Sequence, residues 1–366
     1  MSPSRPLRRD LPPRGRRVKI TAVLCVRNEG AFLLDWLAHH LACGVTHVVA
    51  LSNDCQDGTD AILDRLAQVA PLTHIRNDGP HDERGIQFTG LKLADAAPAV
   101  TGADWLLALD IDEYVNVHAG DRTLPALIAA LPEATAITLT WRLFGNAGVA
   151  RYADAPITGQ FTAAAPVVMH WPWRAAMFKT LYRNDGTYAR LGVHRPRAPD
   201  KSRLDNARWF DGEGRELDDQ FRTRRIFSQY GRSNYALAQL NHYALGAMES
   251  YLLKADRGRA VHSDHALGMD YWVERNWCNE EDRSILSLPG VAERRAAFAA
   301  DPELARLHAG AVAWRHQRLE ALLAQEPYRA LFARLLMTPP SRPVPIQAAR
   351  VLARHATHAR QAGDQH

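Results

Sequence analysis

Hydrophobic positions in the first 110 residues fall into a repeating strand-then-helix pattern. Val18 to Val26 is an apolar run broken only by Lys19, the signature of a strand buried on both faces. Leu33, Trp36, Leu37 and Leu41 then share one helical face, which closes at Gly44, a good C-terminal cap. Val48 to Leu51 predicts a second strand, and Asn53 to Thr59 a turn rich in Asn, Asp and Gly. Ile62, Leu63, Leu66 and Val69 predict another amphipathic helix. A third strand is expected near Leu72 to Ile75, a helix over Ile86 to Ala97, and a buried strand over Trp105 to Ile111 that ends in acids. This βαβαβ alternation predicts an α/β fold with an open, mostly parallel, Rossmann-like sheet and helices on both faces.

Beyond residue 136 the period changes. Ile137, Leu139, Trp141 and Leu143 alternate with polar residues, which predicts a half-exposed strand. Residues 150–230 mix short apolar pieces with Gly, Pro, Trp and Arg and predict an irregular second half around a cleft. From Ser233 onward helices are expected over Tyr235 to Leu245, over Glu249 to Arg257, and several times between Val291 and Met337. The stretch after Pro339 is expected to be frayed or peripheral.

Composition changes this picture mainly at the ends. The 366 residues are 46% hydrophobic and 23% charged, which excludes wholesale disorder. The net charge of +5 comes from the tails. Arg5, Arg8, Arg9, Arg14, Arg16, Arg17 and Lys19 face only Asp10, while Arg342, Arg350, Arg354 and Arg360 face Asp364. These basic tails lack interleaved aromatics and any reading motif, which disfavours a nucleic-acid-binding protein. Cys25, Cys43, Cys55 and Cys278 show no paired spacing and read as free thiols of a reducing compartment. No segment reaches the roughly 20 apolar residues of a membrane span, and no signal peptide is seen. The expected location is the cytoplasm; the Arg/Pro-rich head could make peripheral contact at the inner membrane face, though a solvated disordered tail suits its composition better.

The chemistry concentrates in three loops that follow successive strands. Trp105-Leu-Leu-Ala-Leu-Asp110-Ile-Asp112-Glu113-Tyr114 delivers carboxylates to the C-terminal edge of a buried strand, where open α/β sheets bind ligands. If the strand continues through them, Asp110 and Asp112 point the same way and can share one Mg²⁺ or Mn²⁺. The alternative is that these acids merely end a strand and cap the next element. Arg27-Asn28-Glu29-Gly30 follows the first strand and offers donors to a nucleotide, though a helix cap explains Asn28 and Glu29 nearly as well. Ser52 to Asp60 follows the second, with acids suited to a ribose or base edge, or to a turn and cap.

The set of motifs resembles family-2-like glycosyltransferases of the GT-A fold. Cys25-Val-Arg27-Asn28-Glu29, Trp36 with His39 and His40, Gly44-Val-Thr-His47 and Asn53-Asp54-Cys-Gln-Asp57-Gly58-Thr59 carry the opening of the likeness. It is nearest a bacterial branch with an Arg-Asn-Glu start and an Asp-x-Asp-Glu-[Phe/Tyr] strand end. Lys179-Thr-Leu-Tyr-Arg183, Gly192-Val-His194-Arg195-Pro196, Asn241-His242-Tyr243 with Ser250, Tyr251, Lys254, Arg257 and Gly258, and Asp270-Tyr-Trp272 with Asn279 and Asp282 extend it over residues 18–285. The implied division is a disordered basic leader at 1–17, a nucleotide-sugar (donor) half at 18–145, an acceptor and catalytic half at 146–285 and a helical C-terminal extension at 286–366.

The resemblance implies sugar transfer from a nucleotide-diphosphate donor, a UDP-sugar first, to a glycan or lipid-linked hydroxyl, with inversion. It implies that Arg27, Asn28, Glu29, Asp54 and Asp57 hold the nucleotide. Asp110 and Asp112 would hold the divalent cation, with Glu113 in support. A late histidine would complete the metal site, His242 before His194, and a structural role bonded to backbone suits either equally. Lys254 and Arg257, one helical turn apart, could meet phosphate or form a solvated face. The general base is left among Asp282, Asp211 and His194, in that order. Tryptophans of the second half, Trp141, Trp171, Trp173, Trp209, Trp272 and Trp277, could stack on sugars but are more often core. Two other enzymes share the Asp-x-Asp logic. A haloacid-dehalogenase-like phosphatase would place the motif after the first strand, with Thr or Val where Tyr114 stands. A nucleotide-sugar-forming nucleotidyltransferase would need a Gly-rich basic loop where Arg27 to Gly30 lies.

Overall fold

The computed structural model describes residues 17–81, 85–258 and 267–363, so the expectation for the leader lies outside the described residues. In chain order the first half gives β1 (Ile20–Val26), α1 (Gly30–Ala42), β2 (His47–Ser52), α2 (Thr59–Val69) and β3 (Leu72–Arg76). It continues with α3 (Ile86–Ala94), α4 (Pro98–Thr101), β4 (Trp105–Leu109), β5 (Glu113–Val117), α5 (Leu124–Ala130) and β6 (Ala136–Leu143). Then come α6 (Ile157–Gln160), β7 (Ala163–Ala164), β8 (Phe178–Arg183), β9 (Tyr188–Arg190), β10 (Arg197–Pro199), β11 (Trp209–Phe210), α7 (Asp219–Thr223) and β12 (Ala238–His242). The chain ends with α8 (Met248–Arg257), α9 (Met269–Val273), β13 (Glu280–Glu281), α10 (Val291–Ala299), α11 (Pro302–Leu323), α12 (Glu326–Met337) and α13 (Ile346–Gly363).

Among the described residues a nine-stranded sheet runs β3-β2-β1-β4-β8-β6-β12-β5, with β11 beside the start of β6. β3, β2, β1 and β4 are parallel, β8 is antiparallel to both neighbours, β12 is parallel to β6, and β5 closes the edge antiparallel to β12. The fold is therefore α/β with a mostly parallel sheet and a helical C-terminal part. Strand order reverses at β1: its successor β2 lies on one side and β4 on the other. A crevice opens between their C-terminal ends, the usual ligand position in such sheets.

The period-2 pattern of β1 explains the layering. Ile20, Ala22, Leu24 and Val26 enter one core with Trp36 and Leu63 of α1 and α2, whereas Val23 enters the other with Leu91 of α3 and Val100 of α4. Leu304 and Ala311 of α11 belong to the first core, and α10 and α11 lie against α1. A third cluster joins α8 and α9 to α11 and α12 through Tyr251, Trp272, Leu319 and Leu335.

Several expectations change. The helix expected over Ile86 to Ala97 ends at Ala94, and Pro98 starts a separate helix, α4, at its first position. β6 is buried on both faces, because it is a central strand, with the polar residues of its alternation enclosed. The helix expected over Tyr235 to Leu245 is the strand β12. Its Gln239 and Asn241 share one face and join a buried polar network: Gln239 Nε2 donates to Asn241 Oδ1 (2.7 Å) and Asp282 Oδ2 (2.8 Å). The stretch after Pro339 contains α13. Among the described residues no helix is long and apolar enough to cross a membrane.

Candidate functional site

A cleft of about 880 Å³ opens at the switch point and is lined by Arg27, Glu29 and Asn53 from the β1 and β2 loops and by Asp110 and Asp112 after β4. From the second half come His194, His242, Lys254, Arg257 and the α9 segment Asp270 to Arg275. Three loops that look separate in sequence thus share one opening.

The acids do not sit on a continuing strand. β4 ends at Leu109, and a turn closed by the Glu113 N–H on the Asp110 carbonyl (3.1 Å) reverses the chain into β5. The strand-continuation premise for convergence of Asp110 and Asp112 therefore fails. The two carboxylates reach the same cleft but meet different ammonium groups. Lys179 Nζ lies 2.9 Å from Asp110 Oδ2, and Lys254 Nζ lies 2.6 Å from Asp112 Oδ2. Gln87 Nε2 donates to Asp110 Oδ1 at 3.1 Å.

The turn itself is firmly held. Trp36 Nε1 donates to the carbonyls of Asp110 (3.2 Å) and Glu113 (3.0 Å). Glu113, fully buried, accepts from the Asp110 N–H (2.9 Å) and from Trp141 Nε1 (2.6 Å). Burial pushes the Glu113 carboxyl up to about 8; Lys179 opposes this, and the charges on Asp110 and Asp112 add to it. Burial would likewise raise Asp112, but Lys254 and His242 outweigh it and hold that carboxyl well below the usual range. Burial opposes the charge on both lysines, yet their carboxylate partners raise both pKa values.

The remaining residues fall into three places. Arg257 donates to the Arg27 carbonyl (2.9 Å) and pairs with Glu29, which ties α8 to the β1 loop. Asn28 and Asp54 adopt left-handed backbone (φ 53° and 45°), a conformation that Asn and Asp tolerate best after glycine. Asn28 Oδ1 accepts from the Gln56 N–H at 2.7 Å, so the first two loops brace each other. Asp57 is a cap: Oδ2 accepts from the Gly30 N–H (2.9 Å) and Oδ1 from the Thr59 N–H (2.9 Å) and hydroxyl (2.6 Å). Asp54 and Asp57 do not line the cleft, whereas Asn53 does.

Of the three base candidates, His194 alone lines the cleft. Its Nδ1 faces the Phe178 carbonyl at 3.1 Å, and burial, aided by Lys179, lowers its pKa to about 4. Asp282 instead meets Arg142 (3.0 Å), Gln239 (2.8 Å) and both the N–H and hydroxyl of Ser284 (2.9 and 2.6 Å). Burial raises its pKa, but these partners win and lower it, which makes it a poor proton acceptor. Asp211 is fully buried in the Phe210 to Glu216 turn, taking bonds from Glu213 and Arg215. Both acids serve local architecture away from the cleft.

Sequence reasoning gave no role to Lys179, which lies inside the buried strand β8. Lysine in an apolar run signals a buried ion pair, and this was the available clue. Asp270, which the sequence marks only as part of a family-like segment, and Glu274, which it does not mark, also stand in the cleft wall.

Among the described residues no three His, Cys, Asp or Glu side chains converge as a metal centre. The donor chemistry nevertheless suits a hard cation that draws most ligands from water and phosphate, as Mg²⁺ and Mn²⁺ do. Two carboxylates face the cleft, and His242, 3.7 Å from Asp112 through Nε2, has a buried Nδ1 with no hydrogen-bond partner. Burial lowers the His242 pKa against the pull of Asp112, favouring the neutral, ligating form.

No family model and no curated protein matches the chain. Among solved structures, S. aureus TarS 1-349 in complex with UDP-GlcNAc is 17% identical, with 83% of this chain and 84% of that one covered and a TM-score of 0.33. TarS 1-349 alone gives 16% identity, 83% of each chain and 0.32. A further S. aureus TarS structure gives 18% identity over 46% of this chain and only 28% of its own length, with a TM-score of 0.28. Likenesses this distant carry no argument about chemistry.

Proposed function

We infer that the chain is a glycosyltransferase that moves a sugar from a nucleoside-diphosphate donor to a hydroxyl acceptor. The observation that carries this is the charge arrangement of the cleft at the switch point. Among its described lining residues, Arg27, Arg174, Lys254, Arg257 and Arg275 oppose Glu29, Asp110, Asp112, Asp270 and Glu274, and the formal charges cancel. A diphosphate entering this cleft, whose Asp110 and Asp112 are already paired with Lys179 and Lys254, brings negative charge that an added cation would balance. Asp110 and Asp112, with His242 beside them, are the residues that would hold Mg²⁺ or Mn²⁺. When bound there, the ion would neutralise charge on the departing diphosphate.

The chain's own groups supply the rest. Arg27, Lys254 and Arg257 offer donors to phosphate oxygens, and Asn53 and the braced β1 and β2 loops offer a polar wall to the nucleoside. His194, with Nδ1–H given to the Phe178 carbonyl, keeps the Nε2 lone pair for the acceptor hydroxyl proton. Burial keeps this imidazole neutral and also makes it a modest base. A base on the face opposite the leaving group gives inversion. UDP-sugars head the donors to test, and glycan or lipid-linked hydroxyls the acceptors.

The test is a screen of nucleotide sugars with and without Mn²⁺ or Mg²⁺, read as thermal stabilisation and donor hydrolysis. A true donor at a hundred times its Kd is expected to stabilise the fold by about 2.7 kcal/mol. Asp112→Asn should lose the metal-dependent part of both signals. Absence of any nucleotide-sugar binding by the wild type, or normal turnover by that variant, defeats the assignment.

A further inference from the structure

We propose that the corner formed by α12, α13 and their linker docks on an anionic lipid surface and turns the cleft mouth toward it. This inference does not depend on the reaction assigned above. Between Glu326 and Asp364 the sequence has six arginines and no acidic residue, a concentration of one sign found nowhere else in the described fold. Among the described residues, no ion pair joins Arg334, Arg342, Arg350 or Arg354 to a carboxylate.

Apolar side chains stand exposed among these charges. α12 buries Leu335 against the third core, yet its last turn leaves Leu336 56% and Met337 74% exposed. Among its described side chains α13 buries only Ala349, while Ile346, Val351 and Leu352 remain exposed on the helix that carries Arg350 and Arg354. Basic residues interleaved with bare aliphatic ones suit lipid headgroups with acyl chains beneath them. A nucleic-acid surface would call for exposed Phe, Tyr or Trp to stack on bases; among its described residues this corner exposes none, and its exposed polar groups besides the arginines are chiefly Gln347, His355 and His358.

The corner also has a defined relation to the cleft. In the linker, the Ser341 N–H donates to the Asn276 carbonyl (2.7 Å), and its hydroxyl bonds the Val273 carbonyl. Val273 is itself exposed and lines the cleft. A membrane under this corner would therefore lie beside the Val273 rim of the cleft.

The experiment is co-sedimentation of the full chain with phosphatidylcholine vesicles, with and without about 30% phosphatidylglycerol. At least about tenfold more protein should bind the anionic vesicles, and about 0.5 M NaCl should abolish the difference. The charge variant Arg342→Glu/Arg350→Glu/Arg354→Glu should lose that preference. The variant Leu336→Ser/Met337→Ser, which keeps every charge, should bind about tenfold more weakly. Circular dichroism and the thermal midpoint verify folding of each variant, and the salt dependence of the wild type stands without them. Equal binding to both vesicles overturns the proposal. So does unchanged binding by the charge variant, which would assign the contact to the basic N-terminus. Tighter binding to an RNA oligonucleotide, abolished by the same substitutions, overturns it as well.

Discussion

Lys254 sits 2.6 Å from Asp112, where an entering cation would need the same oxygen. Replacing it with methionine is expected to act in opposite directions on two ligands. Mn²⁺ alone should bind Lys254→Met about tenfold more tightly, because a competing charge is gone. Donor affinity in the presence of metal should fall, because a phosphate contact is lost; calorimetry with each ligand reads both signs. A second residue-scale consequence concerns His39 and His40, both buried in α1. Burial lowers His39 to about 4 despite its bond to the Val115 carbonyl, and His40 well below the ordinary value. The unfolded chain thus binds more protons than the native one between about pH 4 and 6.5, so stability rises with pH across that window. Urea midpoints should drop as pH falls through it, by an amount on the order of 3 kcal/mol for His39. His39→Gln should flatten the slope, and an unchanged slope would refute the assignment.

At the scale of elements, Asp57 joins two helix starts. Asp57→Ala removes the acceptor for Gly30 and Thr59, and a loss of about 1–2 kcal/mol in urea unfolding is expected. Helices α1 and α2 were legible because their apolar stripes and caps are local. β1, β2 and β4 were legible because buried parallel strands read as largely continuous apolar runs, and the edge strand β3 showed only through Leu72 and Ile75. β12 was not, since Ala238-Gln-Leu-Asn-His242 has no strand pattern of its own and becomes a strand by pairing with β5 and β6, where Gln239 and Asn241 meet Asp282 and Asn116 from distant parts of the chain. The half-exposed reading of β6 failed for the same reason: Thr138, Thr140 and Arg142 look outward-facing until their partners are known. Thr140 meets Ser228, and Arg142 meets Asp282 and Glu280. The cleft loops were visible as loops after strands, whereas the capping duty of Asp57 and the Lys179 and Lys254 pairings needed three-dimensional neighbours.

For the whole molecule, the C-terminal helices divide into two kinds. Leu304 and Ala311 are fully buried, and Arg65 of α2 pairs with Asp301 at 2.6 Å, so α11 is part of the main core. Ending the chain after Gly290 is expected to give an aggregating product. Ending it after Pro345 should leave the thermal midpoint nearly unchanged, because among its described side chains α13 contributes only Ala349 to the interior. Differential scanning calorimetry of the two truncations checks both outcomes. The turn between β4 and β5 has a mechanical consequence. Trp36 and Glu113 fasten its backbone like rivets at either end, so the Asp110 and Asp112 side chains answer instead to Lys179, Gln87 and Lys254. Trading an ammonium for an ion at Asp112 is then a swing of one long lysine arm away from Asp112 and the Ala244 carbonyl, and it asks no hinge to bend.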